Sequence, residues 1–122
     1  MEEDMVLTRV LPGSAITTGV LSVSNRYVVA RMPTIEDGQN SALMVARDAR
    51  QEGVIHLFNF RMRTDGGYAK QTLTGMKQFF DLHELKAGDR IMIHLVEEEL
   101  RLFGIVIRHG VYSIDFEEGP VA

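Results

Sequence analysis

The sequence contains no cysteine. Disulfides and thiolate-bound metals are thereby excluded, and the chain suits a reducing compartment, cytosol or nucleus. No apolar run approaches the roughly 18 residues of a membrane-spanning helix. The opening Met1-Glu2-Glu3-Asp4 is acidic where a secretory signal would be basic. No Gly-x-Ser-x-Gly elbow or cysteine nucleophile is present, and Gly-rich phosphate loops are missing too. These absences leave no catalytic residue, cofactor or small-molecule substrate to expect. The four histidines, His56, His83, His94 and His109, include no pair at the i, i+4 spacing of a helical zinc motif. No neighbouring carboxylate is placed to complete a ligand set, so they are read as structural and no metal is expected. Glu97-Glu98-Glu99 reads as a solvated turn whose charges guard a sheet edge.

What is present is a chain of 122 residues, 45% hydrophobic and 25% charged. That suits one globular domain. The formal charge of -4 argues against a nucleic-acid partner until its distribution is considered. Glu2, Glu3 and Asp4 at one end, with Asp115, Glu117 and Glu118 at the other, carry six negative charges. Without them 13 basic residues face 11 acidic ones. Between Arg61 and Lys77, four cations (Arg61, Arg63, Lys70 and Lys77) stand against Asp65 alone. Such local potential guides binding more than the total does. The expected organisation is an acidic tail at 1–5, a domain at 6–114 and a second acidic tail at 115–122.

Short strands are expected at Val6 to Val10, Val20 to Val23, Ala42 to Ala46, Val54 to Met62, Tyr68 to Leu73, Arg90 to Val96 and Leu100 to Ile107, with another segment of strand character at Val111 to Phe116. In Val54 to Met62 the set His56, Phe58, Phe60 and Met62 reads as the core face. Asn25 is suited to cap a helix from Arg26 to Arg31, ended by Pro33, and Thr74 to cap a helix over Gly75 to Leu82. Met76, Phe79 and Phe80 then form one buried stripe at i, i+3 and i+4. About seven strands and two short helices, with so many turns, point to a barrel or sandwich.

The segment Thr74-Gly75-Met76-Lys77-Gln78-Phe79-Phe80, followed by Leu85-Lys86-Ala87-Gly88-Asp89-Arg90-Ile91, resembles the Thr-Gly-Trp-x-x-Phe-Val helix and Leu-x-x-Gly-Asp-x-Val turn of the plant-specific B-three DNA-binding domain. Gly19 to Arg26 is similar to the Gly-Gly-Phe-Ser-Val-Pro-Arg-Arg run of auxin-response-factor members, and Leu102 to Arg108 to the closing Leu-x-x-Gly-Val-x-x-Arg. Met76 stands where that family has tryptophan, and Ser24-Asn25 where it has Pro-Arg. The resemblance, which spans Val6 to Arg108, implies a mainly β fold: a seven-stranded open pseudobarrel with two short helices. It further implies two arms that enter the major groove of duplex DNA, at Thr18 to Arg26 and Arg61 to Thr72, and a transcription factor of the nucleus. Without it the chain would be placed in the cytoplasm.

The expected DNA-binding residues are Thr18, Gly19, Ser22, Asn25, Arg26, Arg61, Arg63, Lys70 and Thr72. Arg63 is suited to bidentate hydrogen bonding to guanine O6 and N7. Arg26 and Lys70 suit phosphate contacts, which require only reach and charge. Thr18, Ser22 and Asn25 carry short polar groups for phosphates or base edges, though Asn25 equally reads as a plain helix cap and Thr72 as an ordinary strand residue. Two other readings compete: a pseudobarrel that binds a protein partner or itself, with weak or no DNA binding, and the recognition domain of a restriction enzyme. A concave face gathering Arg26, Arg63 and Lys70 would favour DNA, and a broad exposed apolar patch would favour a protein.

Overall fold

The computed structural model describes residues 4–23, 26–65, 68–97, 100–108 and 110–120. Within them the chain runs β1 (Asp4–Val10), α1 (Gly13–Thr18), β2 (Leu21–Ser22), α2 (Arg26–Val29), β3 (Ser41–Asp48), β4 (Ile55–Asp65), β5 (Tyr68–Thr74), α3 (Lys77–Leu82), β6 (Arg90–Glu97), β7 (Leu100–Leu102), β8 (Ile105–Arg108) and β9 (Val111–Glu117). Seven strands form one curled sheet in the order β1-β6-β9-β3-β4-β5-β2, and β7 and β8 form a separate hairpin. This is the expected seven-stranded pseudobarrel, with a third helix that the sequence reading did not include.

Alternation builds most of the sheet. In β3, Ala42, Met44, Ala46 and Asp48 are buried while Leu43 and Arg47 are exposed. Its hairpin partner β4 buries His56, Phe58 and Phe60. Met62, expected in the same set, is 40% exposed, because β4 continues beyond the apolar interior to pair with β5 as far as Asp65. In β1 consecutive residues Val6 and Leu7 are both buried. A register shift between Met5 and Leu7 accounts for this, since a bulge resets which face a strand presents.

Helix α3 closes the interior. Met76, Phe79 and Phe80 are fully buried, as their spacing predicts. The helix begins later than expected, however. Thr74 stays in β5 opposite Asn59, Gly75 turns the chain at φ 79°, and Met76 occupies the N-cap without a side-chain cap. The Met76 N–H is instead satisfied by the Gly19 carbonyl at 3.1 Å.

Helix α1 fills the stretch between β1 and β2, where the sequence predicts no helix. Pro12 is its N-cap, and Gly19 ends it at φ 71°, donating its N–H to the Ala15 carbonyl at 2.7 Å. That left-handed geometry suits glycine. A β-carbon on Gly19 would also stand 2.7 Å from the Lys77 nitrogen. Helix α2 stops at Val29, short of the expected Arg31. The strand expected over Leu100 to Ile107 is split by a turn at Phe103 and Gly104, both at positive φ, to give the β7–β8 hairpin. Strand β9 lies inside the sheet, antiparallel to β6 and parallel to β3. It runs through Glu117, into the segment read as an acidic tail.

The Leu-x-x-Gly-Asp turn has a clear mechanical role. Leu85 and Asp89 are buried, and Gly88 sits at φ 98°. The Asp89 carboxylate accepts the Lys86 N–H at 2.9 Å and the Gly119 N–H at 2.8 Å. It thereby fastens the chain after β9 to the turn before β6, and these two N–H groups hold its pKa below the ordinary value of 3.8.

Candidate nucleic-acid interface

Strands β2, β5, β4 and β3 bring four polar residues into one row. Ser22 lies opposite Thr72, Thr72 opposite Arg61, and Arg61 opposite Ser41. Neighbouring Leu21, Leu73 and Phe60 are buried, so the row lies on the other face of the sheet. Ser22 and Arg61 are exposed there and Thr72 is half-buried. Lys70, two residues from Thr72 along β5, is exposed, and its backbone pairs with that of Arg63.

Three of the nine expected residues, Ser22, Arg61 and Thr72, therefore fall in one line, with Lys70 and the backbone of Arg63 one step along. The other assignments fare differently. Thr18 is exposed at the end of α1, but its hydroxyl donates to the Ser14 carbonyl at 2.8 Å and accepts the Val20 N–H at 3.2 Å. Gly19 is buried against Lys77. Asn25 lies outside the described residues, as do the side chains of Arg26 and Arg63.

One cation of this region had no signal in the sequence. Arg9, on edge strand β1, donates from Nη1 to the Ser22 carbonyl at 2.7 Å on the opposite edge strand β2. Nothing in its local sequence marks it, because the contact exists only once the sheet curls.

No family model matches the chain, and neither does any curated protein. Solved structures do. The chain aligns with that of the Arabidopsis FUS3–DNA complex at a TM-score of 0.65 and 15% identity, over 90% of this chain and 95% of that one. It aligns with that of the Arabidopsis thaliana transcription factor LEC2–DNA complex at the same TM-score and identity, over 89% and 94%. The chain has the fold of a B-three domain.

Within this B-three fold, the arm expected at Thr18 to Arg26 comprises the end of α1, strand β2 and the start of α2. The arm expected at Arg61 to Thr72 comprises the paired ends of β4 and β5. The same outer face carries an apolar patch: Leu43, Ile55 and Leu57 are 45%, 57% and 58% exposed. The register sets Leu57 opposite Val45, and Leu43 opposite Asn59.

A second polar cluster lies at the other end of the β3–β4 hairpin. The buried carboxylate of Asp48 meets His56 Nε2 at 2.8 Å and His83 Nε2 at 2.7 Å, both on Oδ2. Its Oδ1 accepts the backbone N–H groups of Arg50 at 2.8 Å and Gln51 at 3.1 Å. Burial alone would raise the Asp48 pKa, but the hydrogen bonds from His56, His83 and the Arg50 backbone outweigh it and lower the pKa to about 2. The expectation that no carboxylate stands near the histidines thus fails for this pair. Asp48 is eight positions from His56 and 35 from His83, separations with no motif to reveal them.

Proposed function

We propose that this chain is a duplex DNA-binding domain, of the kind found in transcription factors, which reads sequence in the major groove through the two arms. The observation that carries the reading is the fold likeness, over about nine-tenths of the chain, to two chains solved with DNA. The cross-strand row of Ser22, Thr72 and Arg61, with Lys70 beside it, supplies donors suited to phosphates. Arg63 is assigned base reading, and Arg26 and Lys70 phosphate anchoring. A nuclear role in a plant cell goes with this reading, as does the absence of catalysis.

The test is a titration of a random-sequence duplex pool at low ionic strength, repeated as salt rises. Binding through phosphates weakens with salt, with a log–log slope of about -0.9 for each contact. Undetectable binding would turn the assignment to a protein-interaction domain. The exposed Leu43, Ile55 and Leu57 favour that second reading, because an apolar patch of this kind suits a protein surface.

A further inference from the structure

We propose that Asp48, His56 and His83 form a binding site for a single divalent transition-metal ion of the zinc class. Their ligating atoms, Oδ2 and two Nε2, all lie within 4.8 Å of one another. They come from three separate places: the end of β3, the start of β4 and the residue after α3. Two imidazoles and one carboxylate are donors that such ions accept, and a three-ligand set leaves a fourth position for water.

The surroundings suit an ion better than a chance meeting of polar groups would. The carboxylate is aimed from behind. Its Oδ1 is held by the backbone N–H groups of Arg50 and Gln51, the kind of outer support that orients metal ligands. Aromatic rings wall the site. Phe79 lies with its centroid 5.0 Å from that of His56 and 4.9 Å from that of His83, and Phe116 lies 4.8 Å from His83. Arg50, a cation close by, bonds to Asp115 at 2.6 Å, so its charge is already paired. A divalent ion beside one carboxylate and two neutral imidazoles would leave the site with a single positive charge.

Ligation requires the two imidazoles to move. Zinc bonds of about 2.0–2.1 Å put neighbouring tetrahedral ligands roughly 3.3 Å apart. The present separations from Oδ2 are 2.8 and 2.7 Å and all three ligating atoms lie within 4.8 Å of one another, so each imidazole swings out from Oδ2 by about half an ångström while the two Nε2 atoms settle to the same spacing of roughly 3.3 Å. An ionised carboxylate only accepts hydrogen bonds, so each Nε2 now carries the proton it donates. On ligation that proton moves to Nδ1 and the Nε2 lone pair goes to the metal. The bound ion would tie the β3–β4 hairpin to the end of α3, on which the closed interior depends.

The experiment is calorimetric titration of the full chain with Zn²⁺ alone, together with the visible spectrum of its Co²⁺ form. One ion per chain is expected, with the intense visible bands of four-coordinate cobalt. His83→Gln keeps a donor for Asp48 while removing a good zinc ligand, and should weaken binding by about 10–100-fold or more. His94→Gln, on β6 away from the cluster, should bind like the parent chain. Three results would overturn the proposal: no uptake by the parent chain, equal uptake by the His83→Gln variant, or a cobalt spectrum unchanged from that of the ion in buffer. The cobalt spectrum decides the question even where a variant folds poorly.

Discussion

The guanidinium of Arg9 reaches the backbone carbonyl of Ser22 at 2.7 Å and so joins the two edge strands of the seven-stranded sheet. Strands β1 and β2 share no ladder, and their free edges would otherwise face each other across the opening of the half-barrel. Arg9→Ala should destabilise the domain by about 1 kcal/mol, the low side for a bond from a charged donor because the group is partly solvated. Urea denaturation measures this. An unmoved midpoint would show that the seam is held by other means.

Phe79 lies at the meeting point of the core rings and is fully buried, with Phe58, Phe80, His56, His83 and Phe116 around it. Phe79→Ala should cost about 3–5 kcal/mol, as large-to-small core changes do. A loss below about 1 kcal/mol would mean that the cavity collapses or that α3 is loosely attached.

Gly19 was read as part of the DNA-binding arm, yet it is buried at φ 71° with the Lys77 nitrogen in the way of any β-carbon. Gly19→Ala should therefore lower stability by more than about 1 kcal/mol through strain and clash. A variant of parental stability that loses DNA affinity would instead assign Gly19 to the interface. Thermal melting and a binding titration on the same sample separate the two.

Asp89 gives the pH dependence its sign. Its folded pKa is depressed below 3.8 by the Gly119 and Lys86 N–H groups. The stability it contributes is present above the unfolded value and is lost as pH falls through the folded one. Asp89→Asn should be clearly less stable than the parent at neutral pH, with the gap narrowing below about pH 4. A gap that stays constant down to about pH 2 would show that the charge of Asp89 is not what its partners stabilise.

For the proposed DNA contacts, Lys70→Ala should weaken binding to all duplexes alike and reduce the salt slope by about 0.9. Arg63→Ala should relax preference at one base pair, at a cost of about 1–3 kcal/mol. Binding indifferent to both changes would remove the β4–β5 arm from the interface.

Local patterns carried much of the fold. Alternation in β3 and β4, and the Met76, Phe79 and Phe80 stripe, are imposed by residues a few positions apart and were legible in the sequence. Helix α1 was not, because six residues with two β-branched threonines give little helical signal. The interior position of β9 was equally hidden, since a hydrophobic alternation states which face is buried and not which strand lies alongside. The candidate interface was legible only in part. The row of Ser22, Thr72 and Arg61 follows from the pairing of three strands, whereas the links between Arg9 and Ser22 and among Asp48, His56 and His83 depend on how the sheet curls.

The sheet order has a kinetic consequence. Strands β1 and β6 make one antiparallel unit, and β3, β4, β5 and β2 make another. Among the described strands β9 alone joins them, using a parallel ladder to β3 on one side and an antiparallel ladder to β6 on the other. It is also the latest of these strands in the sequence. The β3–β4 and β4–β5 hairpins can therefore form early from neighbouring residues, while the two halves of the sheet unite only when β9 is inserted between them. Pairing across so long a stretch of chain slows folding, because loop closure must precede the contacts that reward it. Until that insertion the facing edges of β3 and β6 remain unsatisfied and open to pairing with another copy of the chain.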